Sequence, residues 1–422
     1  MDMTRRELMN GVYLTYLPAQ KFKTNLVSAQ FVLPLTRETA SWNALLPNVL
    51  HRGTMCHPDM ESLSKAMDLL YGAQISGTVR KKGENLCIGF VGSFLEEKYL
   101  PEKTALLEPV TALVGELLCD PATTNGRFVP AYVEGEKQNL IDLIRSSIND
   151  KRDYASKRLI QEMCADEPYG IMRLGDEKSV KKINNGKLFL YYQNLLATAP
   201  LELCYCGPIP LQRVERAFRE AFASLPRQNI QPWGITQQRP APESPRYVTE
   251  EMDVTQGKLS MGFRCESKDW PALMLANMIF GGSSTSKLFM NVRERLSLCY
   301  YASSSYHRVK GIVTVQSGIE CEKYQTVHDE ILAQLAAVQR GEWEEWEKES
   351  ALRMLINALN SLGDSAGQME DFFLSQTVLD LNGTPESIRQ QLLAVDDERI
   401  RLAAQSIKLD TVYFLKGGES HD

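Results

Sequence analysis

Histidine is scarce in this chain, and no Cys-x-x-Cys pair, long apolar run or excess of basic charge is present. The five histidines, His51, His57, His307, His328 and His421, are dispersed through 422 residues. His51 and His57 lie six apart, with Gly53 between them and Pro58 just after, so they do not share a helix face, and no Ser-His-Asp or Cys-His signature surrounds any of the five. Nine cysteines are scattered without metal-ligand spacing, which predicts buried free thiols in a reducing compartment. Lys and Arg number 47 against 53 Asp and Glu, a net charge of −6. That balance argues against nucleic acid, whose binding needs clustered cations. No stretch of about 18 uncharged apolar residues exists, so no membrane helix is expected. The N-terminal MDMTRRELMNG has cations with no apolar core behind them. It is not a secretory signal, and the expected location is cytoplasmic.

What is present is a mixed grammar of strands and helices. Gly11–Ala19 and Thr24–Leu35 read as two strands, and Glu38–His51 as a helix. Asp59 caps a second helix with Leu63, Ala66, Met67 and Leu70 on one stripe, and Gly72 stands where a C′ glycine belongs. Strands at Ala73–Val79 and Asn85–Ser93 follow, then helices over Tyr99–Leu118, from Val129-Pro130 through Ile148, and over Tyr154–Cys164. Leu201–Cys206 is a short buried strand. Pro226 to Pro245 holds five prolines and few apolar residues and reads as an extended linker.

Beyond the linker the pattern repeats. Shifting by 229 residues lays Asn48 on Asn277, Gly53 on Gly282, Tyr71 on Tyr300 and Ala73 on Ala302. The fold expected is α+β: two related α/β domains, each a mainly antiparallel sheet with helices packed on one face. The boundaries are 1–225 for the first domain, 226–246 for the linker and 247–422 for the second.

Within the second domain, Phe280–Ser305 is the most distinctive stretch. Gly281-Gly282 and a Ser/Thr run precede apolar positions Leu288, Phe289, Val292 and Leu296, which fit one helix face. Arg293 and Tyr300 stand seven apart, a cation at the helix end and a phenol entering the next strand. The plainer account is that Arg293 makes a helix-end ion pair and Tyr300 fills a core.

GGSSTSKLFMNVRERLSLCYYAS resembles the second-domain signature GG…SSRLF…VRE…GLAYS of the pitrilysin/insulinase metallopeptidases, especially the two-domain members related to mitochondrial processing peptidase. Gly175-Asp176, Lys187–Tyr191 and Leu201–Gly207 are similar to a further stretch late in that family's first domain. The resemblance implies an inverted zinc motif, HxxEH, at Ala44–Asn48. There the chain has Ala44, Pro47 and Asn48, which supply neither imidazole nor general base. The third-ligand position falls on Glu134. This chain is therefore expected to hold no metal.

Arg293 and Tyr300 match the pair that, in the family's bipartite enzymes, faces the zinc from the other domain. The resemblance thus implies a non-metal subunit of a heterodimeric zinc peptidase. Its partner would be an HxxEH-bearing homologous subunit that holds the zinc, and its substrate a peptide or unfolded polypeptide lying along a strand edge. Arg293 would bind substrate carbonyl or carboxylate groups and Tyr300 would donate to the developing oxyanion. The chain would be inactive alone as a metallopeptidase, working as part of a zinc-dependent complex. The alternative is a non-catalytic peptide-binding or scaffold protein on the same fold.

Overall fold

A computed structural model describes residues 3–101 and 104–417; His421 lies outside the described residues. The strands gather into two large sheets. The first runs in the order Thr4–Met9, Val12–Pro18, Leu201–Gly207, Thr24–Pro34, Asn85–Leu95, Gln74–Lys82. The second runs Cys299–His307, Ile312–Ile319, Gly257–Cys265, Ile407–Gly417, Arg246–Met252. In each sheet one pair is parallel, Val12–Pro18 with Leu201–Gly207 and Arg246–Met252 with Ile407–Gly417, and the other pairs are antiparallel. Read from opposite ends, five strands of the first sheet match the second in order and direction. Thr4–Met9 is the extra edge strand. The repeat seen in scattered identities is thus a repeat of topology.

Two compact units emerge, and they differ from a division at 225 and 247 in two places. One unit comprises residues up to Arg145, Ile171–Ile235 and Leu362–Asn382; the other comprises Ser146–Gly170, Thr236–Ser361 and residues from Gly383 onward. The reason is burial on both sheet faces. All seven residues of Leu201–Gly207 are buried, which a sheet covered on one side only cannot achieve. In the first unit the main core packs Leu45, Leu46 and Val49 of the helix Ala40–Leu50 and Val110, Val114 and Leu117 of the helix Leu107–Cys119 against Val27, Ala29 and Phe31. The opposite face is covered by the helix Ala366–Val378. Its Met369 and Phe373 meet Leu17, Leu26, Cys204 and Cys206, and its Leu374 and Val378 meet Val32 and Cys87. In the second unit the helix Lys151–Met163 plays the equivalent part, with Ala155 and Leu159 against Tyr413 and Leu415.

All nine thiols are free, with Cys87, Cys164, Cys204, Cys206 and Cys265 buried and Cys56 exposed. Burial pushes Cys87 and Cys265 up to about 12, so these are packing groups. Among the described residues no helix is long and apolar enough to cross a membrane.

Candidate functional site

The helix Ala40–Leu50 carries the positions of the missing zinc motif. Ala44 is 1% exposed and belongs to the main core, so this position faces apolar packing. Pro47 is buried inside the helix, where it has no N–H to continue the ladder. It fits because a glycine faces it: a Cβ placed on Gly77 would stand 3.0 Å from Pro47 Cβ. Asn48 is exposed. Polar groups nearby already have structural partners. Tyr191 donates to Asn43 Oδ1 at 2.7 Å, and His51 Nε2 lies 2.9 Å from the Ile75 carbonyl beside the Phe90 ring. His57 Nε2 is 4.0 Å from Glu116 Oε2.

The helix Pro130–Ser146 presents Val133, Glu136, Leu140 and Ile141 on its buried face. Glu134 therefore points outward, with its side chain 67% exposed and 3.1 Å from Lys137. The buried acid is Glu136, which accepts from Arg52 Nε at 2.5 Å. Sequence reading passed over it, although its i+3 spacing from Val133 and i−4 spacing from Leu140 mark the inward face. No group of three or more His, Cys, Asp and Glu side chains is disposed to hold a metal among the described residues. Ala44 in the core, a ring at Pro47, a neutral amide at Asn48 and a solvated Glu134 do not form a zinc donor set. Zinc does not fit here.

The Gly-Gly to Tyr stretch is built differently. The chain is π-helical over Met278–Gly282 and again over Leu288–Arg295, a wide-turn geometry that is rare and frequent at functional sites. The Leu296 N–H reaches back five residues to the Asn291 carbonyl at 3.0 Å. Leu288 and Val292 are buried, as their spacing predicts, but Leu296 falls past the helix as its C-cap and is 41% exposed. Ser297, at φ +49°, turns the chain into the strand Cys299–His307. Nearby side-chain bonds hold the segment: Ser304 Oγ donates to Asn277 Oδ1 at 2.7 Å, and Asn291 Nδ2 donates to Gln334 Oε1 at 2.7 Å.

Arg293 lies on the last π turn, 42% exposed, with its guanidinium 4.7 Å from the Phe289 ring and 3.5 Å from Glu294. Tyr300 does not fill a core. It sits in a β-bulge on an edge strand, because Cys299 pairs with Ile319 and Tyr301 with Gly318, leaving Tyr300 as the extra residue. A bulge re-aims its side chain, and Tyr300 is 61% exposed. No hydrogen bond or ion pair joins Arg293 to Tyr300 among the described residues.

The neighbouring Tyr301 is the packed tyrosine. Its ring crosses Gly318 so closely that a Cβ there would lie 2.5 Å from it, and Arg152 stacks at 4.2 Å. Burial pushes the Tyr301 phenol up to about 12. Burial also raises the Cys299 thiol, against the opposing charge of Arg293. The remaining imidazoles serve local packing: His307 Nδ1 is 3.2 Å from the Tyr169 hydroxyl, and His328 sits between the Tyr247 and Tyr324 rings.

Residues 182–355 match a family profile described as the peptidase M16 inactive domain. A Bacillus subtilis protein named "probable inactive metalloprotease YmfF" is 35% identical over 415 residues, 97% of this chain and 96% of its own length. A second Bacillus subtilis protein, named "uncharacterized zinc protease YmxG", is 21% identical over 369 residues, covering 83% of this chain and 86% of that one. Among solved structures, a conserved protein from Enterococcus faecalis V583 superposes with a TM-score of 0.92 at 27% identity, covering both chains fully at 100%.

Proposed function

This chain belongs to the M16 peptidase family as an inactive, peptidase-like member, and from that premise we propose that it is the non-metal subunit of a heterodimeric zinc peptidase. The partner is an HxxEH-bearing homologue that binds zinc and activates water. This chain supplies Arg293 and Tyr300. The observation that carries the reading is the contrast between its two units. In one, the metal positions are given over to packing by Ala44 and Pro47. In the other, a π-helical turn and a β-bulge leave a cation and a phenol facing solvent.

Tyr300 would donate to the oxygen that becomes negative when water attacks the peptide carbonyl, and Arg293 would fork onto a substrate carbonyl or carboxylate. Neither group can start hydrolysis without an activated water. The strand Cys299–His307 is a sheet edge, and extended peptide adding to it would gain main-chain hydrogen bonds with little sequence demand. The location we propose for it is the cytoplasm.

A second reading, a peptide-binding or scaffold protein without catalysis, draws support from the ties Arg293 already has to Phe289 and Glu294. Mixing the chain with HxxEH homologues from the same genome separates the two. A heterodimer by size-exclusion chromatography, with peptidase activity that neither chain shows alone, supports the subunit role. Peptide binding with no turnover in any pairing refutes it and leaves the scaffold reading.

A further inference from the structure

The two large sheets end on matching edges. In the order that aligns them, Gln74–Lys82 of the first unit is the counterpart of Cys299–His307 of the second. An exposed edge strand offers its row of backbone groups to any extended chain. The side chains around Gln74–Lys82 decide whether that capacity is used.

The register shows which backbone groups face the free side. Gln74 pairs with Ser93 and Ile75 with Gly92. A Cβ built on Gly92 would lie 3.5 Å from the Gln74 carbonyl oxygen, so that carbonyl turns inward to the strand Asn85–Leu95. Backbone direction alternates along a strand. Ser76, Thr78 and Arg80 therefore also bond inward, and Ile75, Gly77 and Val79 turn their N–H and C=O groups outward.

Two of these outward carbonyls are already taken, both by side chains. His51 Nε2 lies 2.9 Å from the Ile75 oxygen. A carbonyl only accepts, so this ring nitrogen carries the proton. Arg173 Nη1 donates to the Val79 oxygen at 2.8 Å. Each donor is held in place. His51 is the C-cap of the helix Ala40–Leu50, and its ring packs 5.9 Å from that of Phe90. The same helix lies against the strand, since a Cβ on Gly77 would stand 3.4 Å from the Pro47 oxygen. The segment leading to Arg173 is tied down by Lys81 Nζ, which donates to the Ile171 carbonyl at 3.2 Å.

We propose that Gln74–Lys82 is a peptide-strand site that the chain itself holds shut, with His51 and Arg173 standing where an added strand would place its N–H donors. The two donors flank Gly77, and one residue between them is too little to hold a strand. Extended polypeptide adds at this edge once both donors are withdrawn. The closure is independent of zinc, of a partner subunit and of Arg293 and Tyr300.

The test uses the full chain with His51→Phe and Arg173→Met, singly and together. These keep a ring and an apolar stem but remove the donors, and each is expected to keep the wild-type circular dichroism spectrum. Amide hydrogen exchange over Gln74–Lys82 is followed with and without 1 mM acetyl-Lys-Thr-Val-Thr-Val-Thr-Lys amide. The control is the same peptide with every Thr and Val nitrogen methylated, which cannot donate. In the wild type the peptide should leave the Ile75, Gly77 and Val79 amides unchanged. In the double variant it should slow them at least tenfold, and the methylated peptide should not. Arg173→Met alone should slow Gly77 and Val79 at least threefold, so the test survives if the ring substitution disturbs the fold. Equal slowing in the wild type overturns the closure, and no slowing in a folded double variant overturns the site. Protection over Cys299–His307, read in the same experiment, tests the other edge separately.

Discussion

Replacing Arg80 by alanine tests how the first unit is held together. Glu370, on the helix Ala366–Val378, is 2% exposed. It accepts from Arg80 Nη1 at 2.6 Å, Arg80 Nη2 at 2.8 Å and Ser28 Oγ at 2.7 Å. Removing Arg80 takes away both charged donors and leaves a buried carboxylate on one hydroxyl. Two bonds to a charged group at about 1.5–3 kcal/mol each suggest a loss of roughly 3–6 kcal/mol, and breaking a buried pair typically costs about 3–5 kcal/mol. Asp371 cannot compensate, being an acid itself, and Lys82 is already 2.6 Å from it. Urea unfolding, with hydrogen exchange read on Thr24–Pro34, should show a loss of about 4 kcal/mol. Arg80→Met with Glu370→Met should recover much of it, because an apolar pair leaves no charge unpaired. A single-variant loss under about 1 kcal/mol, or a double variant as unstable as the single, would refute the reasoning.

Four other outcomes follow from the side-chain geometry of the two units. Glu167 is held below the ordinary carboxylate range, against its burial, by Arg264 and Lys310. It therefore contributes stability at neutral pH that is lost as pH falls below about 4.3 and on through its folded value. Glu167→Gln should be less stable at pH 7 and flatter in its acid unfolding profile; an unchanged profile counts against the cluster. Glu134→Gln should change stability by less than about 0.5 kcal/mol, since its ion pair is solvated. Arg52→Ala should cost about 1–3 kcal/mol by stranding buried Glu136, and denaturant midpoints compare the two. Finally, Ala44→His with Asn48→His should bind no stoichiometric zinc by elemental analysis, because position 44 is 1% exposed. One zinc per chain would contradict this account of the helix.

Local structure was legible where local chemistry decides it. Asp59 caps its helix, with Ser62 completing the reciprocal box, but the glycine falls one place past the expected C′ position: Leu70 is the C-cap, Tyr71 takes C′ at φ +56°, and Gly72 follows at φ +71°. The helix read over Tyr99–Leu118 starts instead at Leu107, because apolar periodicity ran through Pro101 without registering the break. The helix Lys151–Met163 was expected over Tyr154–Cys164, but the sheet face that it covers, like the face covered by Ala366–Val378, was not. That is decided by contacts hundreds of residues apart, such as Ser28 with Glu370, which no periodicity records. At the candidate site, the Arg and Tyr positions were visible through resemblance. The π turn and the bulge were not, since both depend on hydrogen-bond offsets. The Arg264 cluster was missed because its members, Glu167, Arg264, Lys310 and Asp410, lie far from one another in sequence.

The central claim is that this chain completes a partner's site. Its most direct test is the peptidase rate of the mixture with the HxxEH homologue on an unfolded peptide, comparing wild type with Arg293→Ala and Tyr300→Phe in this chain. Loss of a donor to the transition-state oxygen lowers rates by about 10²–10³-fold. The account predicts a drop of that order for Tyr300→Phe and a comparable drop for Arg293→Ala, with heterodimer formation unchanged. A mixture whose rate is unmoved by either substitution would contradict it.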